Sequence, residues 1–259
     1  MSAFPSGRPP GELLKGKSAV ITAAAGAGIG FATARRLAEQ GARLLISDRH
    51  EGRLARARAE LERLTGAAAL AVRCDVTSEA DVQAMFALAD REFGRIDVLV
   101  NNAGLGGERT ILDMSDAEWT TLMDVNLTGT FRCMRAGLAR MTAQRSGVIV
   151  NLSSVLGWRA QAGQAHYAAS KAGIMALTRC AAVEAAPFNV RVNAVAPSLA
   201  LSLHLAKTSS VELIESLTTK ELMGRGADPL EVADVIVFLA SDLSSYMSGE
   251  VVAVSSQHP

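Results

Sequence analysis

From residue 18 onward, short apolar runs alternate with longer polar runs of helical character. SAVITA, RLLISD, ALAVRCD, RIDVLVNNAG, the run over residues 147–153 and VRVNAVAP are each followed by helix-compatible sequence, and GEVVAV closes the series. Strands that return after a helix each time pair in parallel, and a parallel sheet buries both faces under its connections. The expected fold is therefore α/β, a doubly wound parallel sheet with helices on both faces. At 259 residues the chain suits one large domain of this kind better than two small ones. Apolar residues make up 49% and aromatic ones 4%, so the core is built from Ala, Val, Leu and Ile. Residues 1–14, rich in Pro, Gly and Ser, read as a flexible arm ahead of a single domain over 15–259.

Charge and cysteine usage exclude several roles. Acidic and basic residues both number 26, which removes any reason to expect nucleic acid as a partner. No run reaches the length of a membrane span, and the first residues lack the apolar centre of a signal peptide. Cysteines at 74, 133 and 180 match neither a zinc spacing nor an even disulfide set. A reduced, cytoplasmic, metal-free protein is expected.

The turn after the first strand, AAAGAGIG, brings Gly26, Gly28 and Gly30 before a helical run. Small residues there let a helix N-terminus approach a pyrophosphate closely, although such a turn also serves packing alone. The second strand ends in Asp48, eighteen residues after Gly30, near the offset at which a dinucleotide fold places a carboxylate on the adenosine ribose. A carboxylate there favours NAD over NADP, while the adjacent Arg49 favours a 2′-phosphate. Asp48 can equally cap the next helix. Asp75 and Val76 fall at the carboxyl edge of the sheet, and Thr77 or Ser78 can cap the helix that follows. The two asparagines ending RIDVLVNNAG can bind a cofactor or tie strand ends together. Asn126 interrupts a helical run from Ser115 to about Arg145, which points to a local break or a water-binding carboxamide.

The chemistry concentrates in SVLGWRAQAGQAHYAASK, Ser154 to Lys171. Tyr167 and Lys171, four apart, share a helix face, and the loop from Ser154 can return its hydroxyl to that face. An ammonium beside a phenol lowers the phenol pKa from about 10, and a serine can donate to the same substrate oxygen. Such a trio suits alcohol and carbonyl redox chemistry. The same residues also fit a surface tyrosine and lysine on an amphipathic helix with a turn serine. Between Leu199 and Gly226 the strand signal is missing and helix-like sequence follows a strand end, which marks a candidate substrate lid.

These residues together resemble the short-chain dehydrogenase/reductase family, the single-domain Rossmann enzymes, from Lys15 to Ser255. Asn101-Asn102-Ala103-Gly104 and the set Ser154, Tyr167, Lys171 carry the resemblance most specifically, with Asn126 at the family's fourth catalytic position. The resemblance implies that Tyr167 is the acid/base and that Ser154 positions the substrate oxygen. It also implies that Lys171 holds the nicotinamide ribose and lowers the tyrosine pKa, and that Asn126 orders a relay water. NAD is the implied cofactor. Its contacts are Gly26, Gly28, Ile29, Gly30, Asp48, Arg49, Asp75, Val76, Asn102, Ala103, Gly104, Tyr167, Lys171 and the Pro197 to Ala200 segment. The many small residues of YAASKAGIMA would permit close packing against a partner helix, hence a homo-oligomer, tetramer or dimer.

Three departures stand out. Ala23 and Ala24 replace the usual Thr-Gly, so the turn is expected to keep a negative φ at the alanine. Ser198 replaces a glycine and is expected to stiffen the lid's start, and VSSQHP replaces the usual Asp-Gly-Gly, with an expected effect on an interface or pocket wall. A narrower resemblance, in GWRAQAGQAHYAASKAGIMALTRCAAVEAA and VSSQHP, is to a bacterial branch of steroid ring catabolism. It implies a hydroxylated hydrindane-propionate substrate carried as a CoA thioester, with Lys207, Lys220 and Arg225 near its phosphates and Leu203, Leu205, Leu213, Ile214, Leu217 and Met223 walling a ring system. The alternatives are a 3-oxoacyl thioester reductase and an NAD-binding scaffold without chemistry.

Overall fold

The computed structural model describes residues 11–201 and 211–257, with residues 211–213 described by their backbone alone. Seven strands form one sheet: β1 (Ser18–Ile21), β2 (Arg43–Asp48), β3 (Ala69–Arg73), β4 (Val98–Asn101), β5 (Gly147–Leu152), β6 (Val190–Pro197) and β7 (Val251–Val254). Their order is β3-β2-β1-β4-β5-β6-β7 and every pair is parallel. β1 and β4 are buried at every position, which is why their sequences are continuous apolar runs rather than alternating ones.

Among the described residues the α-helices are α1 (Ile29–Glu39), α2 (Glu51–Thr65), α3 (Glu79–Phe93), α4 (Asp116–Met123), α5 (Gly129–Gln144), α6 (Ala165–Ala185), α7 (Val211–Thr218) and α8 (Pro229–Ala240). Two apolar layers cover the sheet. Leu37 of α1, Leu54 and Leu61 of α2 and Ile236 of α8 close one face against Ile21, Ile46 and Val195. Phe86 of α3, Met134 and Met141 of α5 and Ala182 of α6 close the other against Leu45, Leu99 and Ile149. The expected doubly wound architecture is what the chain adopts. Among the described residues no helix is long and apolar enough to cross a membrane.

Local signals explain where helices start. Ser78 accepts a hydrogen bond from Asp81 N and caps α3, whereas Thr77 bonds to Asp75 instead. Ser115 with Glu118 and Asp228 with Glu231 form reciprocal capping boxes for α4 and α8, the second with Pro229 in the first turn. His50, not Asp48, stands at the N-cap of α2. The run interrupted by Asn126 does break: residues 124–128 form a single π-helical turn between α4 and α5, a distortion that shifts side-chain directions within a helix.

The chain start is tied down earlier than its composition predicts. Gly11 N donates to Glu39 O, Leu14 N donates to Gln40 O, and Leu14 is buried in the α1–α2 layer. Residues 11–14 of the expected arm are thus tied to the end of α1, and residues 1–10 lie outside the described residues.

Ala23 corrects another expectation. Its φ is +50°, in the left-handed region, rather than negative. The turn is closed by its neighbours: Ala24 N donates to Ser47 O at 2.9 Å, and the Ala23 carbonyl accepts from Asn102 Nδ2 at 3.0 Å. The methyl group is thus held in a conformation costing about 1–2 kcal/mol for a non-glycine residue. Ala23→Gly should raise the unfolding free energy by about 0.5–1 kcal/mol after the entropy of a flexible glycine is subtracted. Urea unfolding of the two proteins at matched pH checks this.

Candidate active site

β1 and β4 are neighbours although the chain visits β2 and β3 between them, so the connections diverge at their carboxyl ends and leave a crevice. The glycine-rich turn forms one lip. A Cβ built on Gly30 would lie 2.3 Å from Asn102 Nδ2 and 2.7 Å from Ala23 O, so only glycine fits this approach, while Gly26 faces open space. Gly28 occupies the N-cap of α1 without a side-chain cap, which leaves the first N–H groups from Ile29 onward directed at the turn.

The asparagine pair ending β4 ties strands together. Asn102 Nδ2 donates to the carbonyls of Thr22 and Ala23, both at 3.0 Å, and Asn102 N and Ala103 N donate to Thr22 Oγ1 at 2.9 and 3.1 Å. Asn101 Nδ2 donates to Asn151 Oδ1 at 2.8 Å, and Asn151 Nδ2 to Thr178 Oγ1 at 2.9 Å, linking β4, β5 and α6. Thr22 was not singled out from the sequence. Its signal is a hydroxyl directly after the apolar residues Ala19 to Ile21 that close β1.

Along the β2–β3 side of the crevice, Asp48 is buried and its Oδ1 accepts from His50 N at 2.9 Å and from Arg53 at 3.1 Å. Arg53, missed in the sequence, takes the carboxylate that adjacent Arg49 does not; exposed Arg49 directs Nε to His50 Nε2 at 3.2 Å. Asp75 accepts from Thr77 N and Oγ1 at 2.9 and 2.7 Å. Burial would raise its pKa, but these hydrogen bonds outweigh it and hold the carboxyl below its ordinary range. Val76 packs against Gly129, where a Cβ would come within 2.6 Å of its Cγ2.

Across the crevice, Ser154, Tyr167, Lys171 and Asn126 converge. Ser154 follows β5 in extended backbone and caps a short 3-10 turn over Val155–Gly157. Its hydroxyl accepts from Leu156 N at 3.2 Å, reaches the Pro197 carbonyl at 3.5 Å, and lies near enough to the Tyr167 phenol to favour the ionised form. Lys171 lies one helical turn below Tyr167, with Nζ 5.4 Å from the ring centroid and donating to Leu152 O at 2.8 Å. Asn126 is fully buried; its carboxamide accepts from Leu105 N at 2.7 Å and donates to Leu105 O at 2.9 Å and to Ser170 Oγ at 3.2 Å. A Cβ on Gly104 would sit 3.5 Å from Asn126 Oδ1 and 3.6 Å from Lys171 Nζ, so this glycine keeps the space between them clear. Pro197 to Ala200 ends β6 beside Ser154, and Ala200 pairs with Ala227 across the neck of the expected lid.

The electrostatics correct one expectation. Burial pushes the Tyr167 phenol above its ordinary value, and the nearby Ser154 hydroxyl pulls it back only in part. The buried Lys171 has its own pKa pushed down to about 8 by desolvation. With its ammonium turned to a carbonyl and largely desolvated, the lysine does not make the phenol more acidic than free tyrosine. Elsewhere, burial pushes the Cys74 thiol up to about 12, which leaves it inert as a nucleophile. Among the described residues no group of three His, Cys, Asp or Glu side chains gathers as a metal site would require.

Known proteins share both the sequence and this geometry. The family profile described as enoyl-(acyl carrier protein) reductase matches residues 23–256. A (5R,7aS)-5-hydroxy-7a-methyl-1-oxo-2,3,5,6,7,7a-hexahydro-1H-indene-carboxyl-CoA reductase of Mycobacterium tuberculosis is 56% identical over 95% of both chains. The cis-4-hydroxycyclohexanecarboxylate dehydrogenase of Sinomonas cyclohexanicum is 44% identical over 94% of this chain and 97% of its own. A crystal structure of a short-chain dehydrogenase from Mycobacterium smegmatis superposes with a TM-score of 0.88 at 50% identity, covering 100% of this chain and 99% of the other. Fold and site thus define a nicotinamide-dependent oxidoreductase acting on alcohol and carbonyl groups. The chain belongs to the short-chain dehydrogenase/reductase family.

The buried lysine gives a sign that can be checked without ligand. The folded protein releases the Lys171 proton near pH 8, whereas the ordinary value is 10.5. Below pH 8 the buried charge therefore costs stability in full, roughly 3 kcal/mol, and the cost fades as pH rises toward 10.5. Lys171→Met should be more stable than the parent at pH 7, and its advantage should shrink by pH 10, as read by urea unfolding of both proteins across that range.

Proposed function

We propose that the protein is an NAD-preferring dehydrogenase that interconverts a bulky cyclic secondary alcohol and its ketone, with the substrate carried as a CoA thioester. The observation that carries this reading is the convergence of Tyr167 and the buried Lys171, whose Nζ lies 5.4 Å from the tyrosine ring centroid, with Asn126 across the space that Gly104 leaves beside them. The identities to a hydrindane carboxyl-CoA reductase and to a hydroxycyclohexanecarboxylate dehydrogenase support a ring-bearing alcohol.

The crevice fits a nicotinamide dinucleotide on its own observations. The uncapped α1 terminus and the open space at Gly26 suit a pyrophosphate, Gly28, Ile29 and Gly30 supply the close turn, and the buried Asp48 suits a ribose 2′-hydroxyl. Asp75 and Val76 border the adenine side. Asn102, Ala103, Gly104, Tyr167, Lys171 and the Pro197–Ala200 segment border the nicotinamide side. When bound, the nicotinamide ring accepts or returns a hydride. The chain's own residues handle the proton. Tyr167 takes the hydroxyl proton of the alcohol as its carbinol hydrogen leaves, or returns one to the ketone oxygen, and Ser154 Oγ donates to that same oxygen. Lys171 would hold the ribose hydroxyls, and Asn126 would order a water in the space that Gly104 leaves open, through which protons pass between Lys171 and solvent.

The loops after the strands supply an apolar rim: Ile111 and Leu112 after β4, Trp158 after β5, and Leu222 and Met223 after α7 all expose large side chains. Exposed apolar groups of this size on one edge suit a ring system. The segment 199–226 is the substrate lid in this reading, with Ile214 and Leu217 half-buried on α7. Leu203, Leu205 and Lys207 lie outside the described residues, as does the side chain of Leu213. Lys220 is exposed and suits a CoA phosphate, whereas Arg225 is engaged bidentately by Glu231, both contacts at 2.7 Å. Trp119, Phe131 and Val183, exposed on α4, α5 and α6, suit a homo-oligomer, dimer or tetramer. A cytoplasmic setting accords with three unpaired cysteines.

Purified protein offered NAD with steroid-derived hydroxyacyl-CoA alcohols and, separately, with short 3-hydroxyacyl-CoAs should form NADH from the first set. Preference for the short thioesters would favour a 3-oxoacyl thioester reductase, and no turnover of either would favour a scaffold. Tyr167→Phe should lower turnover at least about 100-fold with little change in cofactor affinity; turnover within about twofold of the parent would remove Tyr167 from the chemistry.

The cofactor preference has its own test. The parent should show a higher kcat/KM with NAD than with NADP, because a 2′-phosphate would meet the Asp48 carboxylate. Asp48→Ala should narrow or reverse the ratio, freeing Arg53 along with Arg49 for the phosphate. Equal use of both cofactors by the parent would show that the two arginines already offset the carboxylate.

A further inference from the structure

Two of the features by which this chain departs from its family, Ser198 and the segment after β7, meet at one side chain. Glu221, just beyond α7, is 4% exposed and accepts four hydrogen bonds. Its Oε1 accepts from Leu199 N at 3.2 Å and Gln257 Nε2 at 2.9 Å, and its Oε2 accepts from Ser198 Oγ at 3.1 Å and Ser256 Oγ at 2.8 Å. Leu222 N adds a backbone bond to Ser256 O at 2.9 Å, and Glu221 and Gln257 form an antiparallel bridge.

All four donors to the carboxylate are neutral. Burying a charge among neutral groups is costly unless its hydrogen bonds are complete, and a purely structural contact is met more cheaply by uncharged side chains. What the charge achieves is a strong acceptor shared by three segments distant in sequence: the end of β6, the base of the lid and the segment after β7.

Two of those segments, the end of β6 and the segment after β7, lead back to Ser154. The Pro197 carbonyl, adjacent to Ser198, accepts from Ser154 Oγ at 3.5 Å. Gln257 Oε1 accepts from Arg159 at 2.6 Å, and Arg159 lies in the loop that Ser154 begins. Glu221 therefore grips the Ser154 loop from both sides, through β6 and through Gln257, without touching the reacting atoms.

We propose that Glu221 is a positioning residue: with Ser198, Ser256 and Gln257 it fixes the Ser154–Arg159 loop against the end of β6 and so sets the opening through which a bulky alcohol reaches Ser154 and Tyr167. The proposal rests on the reading of the site as an alcohol–ketone oxidoreductase, but the clamp has a readout independent of turnover.

The experiment compares the full-length parent, Glu221→Gln, Gln257→Ala and the exchanged pair Glu221→Gln/Gln257→Glu. Hydrogen exchange should show lost protection at residues 198–201 and 155–159 together in both single variants, and its recovery in the exchanged pair, which restores a carboxylate acceptor and adds an ion pair to Arg159. NADH affinity, read by fluorescence, should stay within about threefold of the parent, while KM for the ring-bearing alcohol rises about tenfold or more and kcat stays within about threefold. A merely structural loss would lower the active fraction, and with it kcat, at constant KM. If Glu221→Gln does not fold, Gln257→Ala makes the same comparison alone. Unchanged protection at either segment overturns the clamp, and lost protection with unchanged KM overturns its role in admitting substrate. A parent that oxidises no alcohol argues against the proposed function, and hydrogen exchange then decides the clamp: joint loss at the two segments upholds it and independent behaviour overturns it.

Discussion

The structure depends on how the carboxyl ends of β1 and β4 are joined. A parallel sheet leaves backbone groups unmatched where its strands stop, and at this edge they must stay open to a ligand rather than be covered by another element. Thr22 and Asn102 resolve the conflict with side chains. The threonine hydroxyl accepts from the N–H groups of Asn102 and Ala103, and the asparagine side-chain amide donates to the carbonyls of Thr22 and Ala23. The strand ends are thereby satisfied from within, and the glycine-rich turn is held at the height where α1 presents its N–H groups. Because the same amide sits against Gly30, the turn, the strand end and the helix terminus form one rigid unit.

That rigidity has costs that the rest of the site absorbs. Ala23 adopts a left-handed backbone that its own side chain disfavours. Lys171 is placed where water is excluded and keeps a single hydrogen bond, to Leu152 O, at the expense of its proton affinity. Strained and desolvated groups of this kind persist only where surrounding structure over-determines them. Here the over-determination comes from the chain Asn101–Asn151–Thr178, which locks β4, β5 and α6, and from Ser153, whose hydroxyl donates to Lys171 O at 2.9 Å. A phenol that is harder to ionise than free tyrosine keeps its proton at neutral pH, so acid/base traffic waits for the bound substrate and cofactor.

The substrate side is built on different principles from the cofactor side. Cofactor-side groups are set by strand ends and short turns, local to the sheet. The entrance is set by contacts between segments remote in sequence, gathered at Glu221, and by a neck in which Leu201 N donates to Ala227 O and Ala227 N to Leu199 O. Gly226 lets the two passing strands of that neck come together, since a Cβ there would strike Leu201 and the Leu199 carbonyl. In the proposed function the first half meets the dinucleotide and the second the alcohol.

Periodicity and turn residues in the sequence determined the sheet, its parallel pairing and most helix boundaries, because burial on both faces forces continuous apolar strands and because caps such as Ser78, Ser115 and Asp228 act on their own neighbours. Spacing alone also put Tyr167 above Lys171, since one helical turn is a local quantity. Tertiary structure decided what depends on contacts between distant residues. It assigned the β4 asparagines to strand ends, gave Asp48 to Arg53, and turned the break at Asn126 into a π turn whose side chain holds Leu105. It raised the Tyr167 phenol, which the neighbouring lysine alone would have lowered, because burial outweighs a desolvated ammonium. It also gathered Ser198, Glu221, Ser256 and Gln257 into one cluster. In the sequence Glu221 is one acid among several in a helical run; only the fold supplies the four donors that give its charge a purpose.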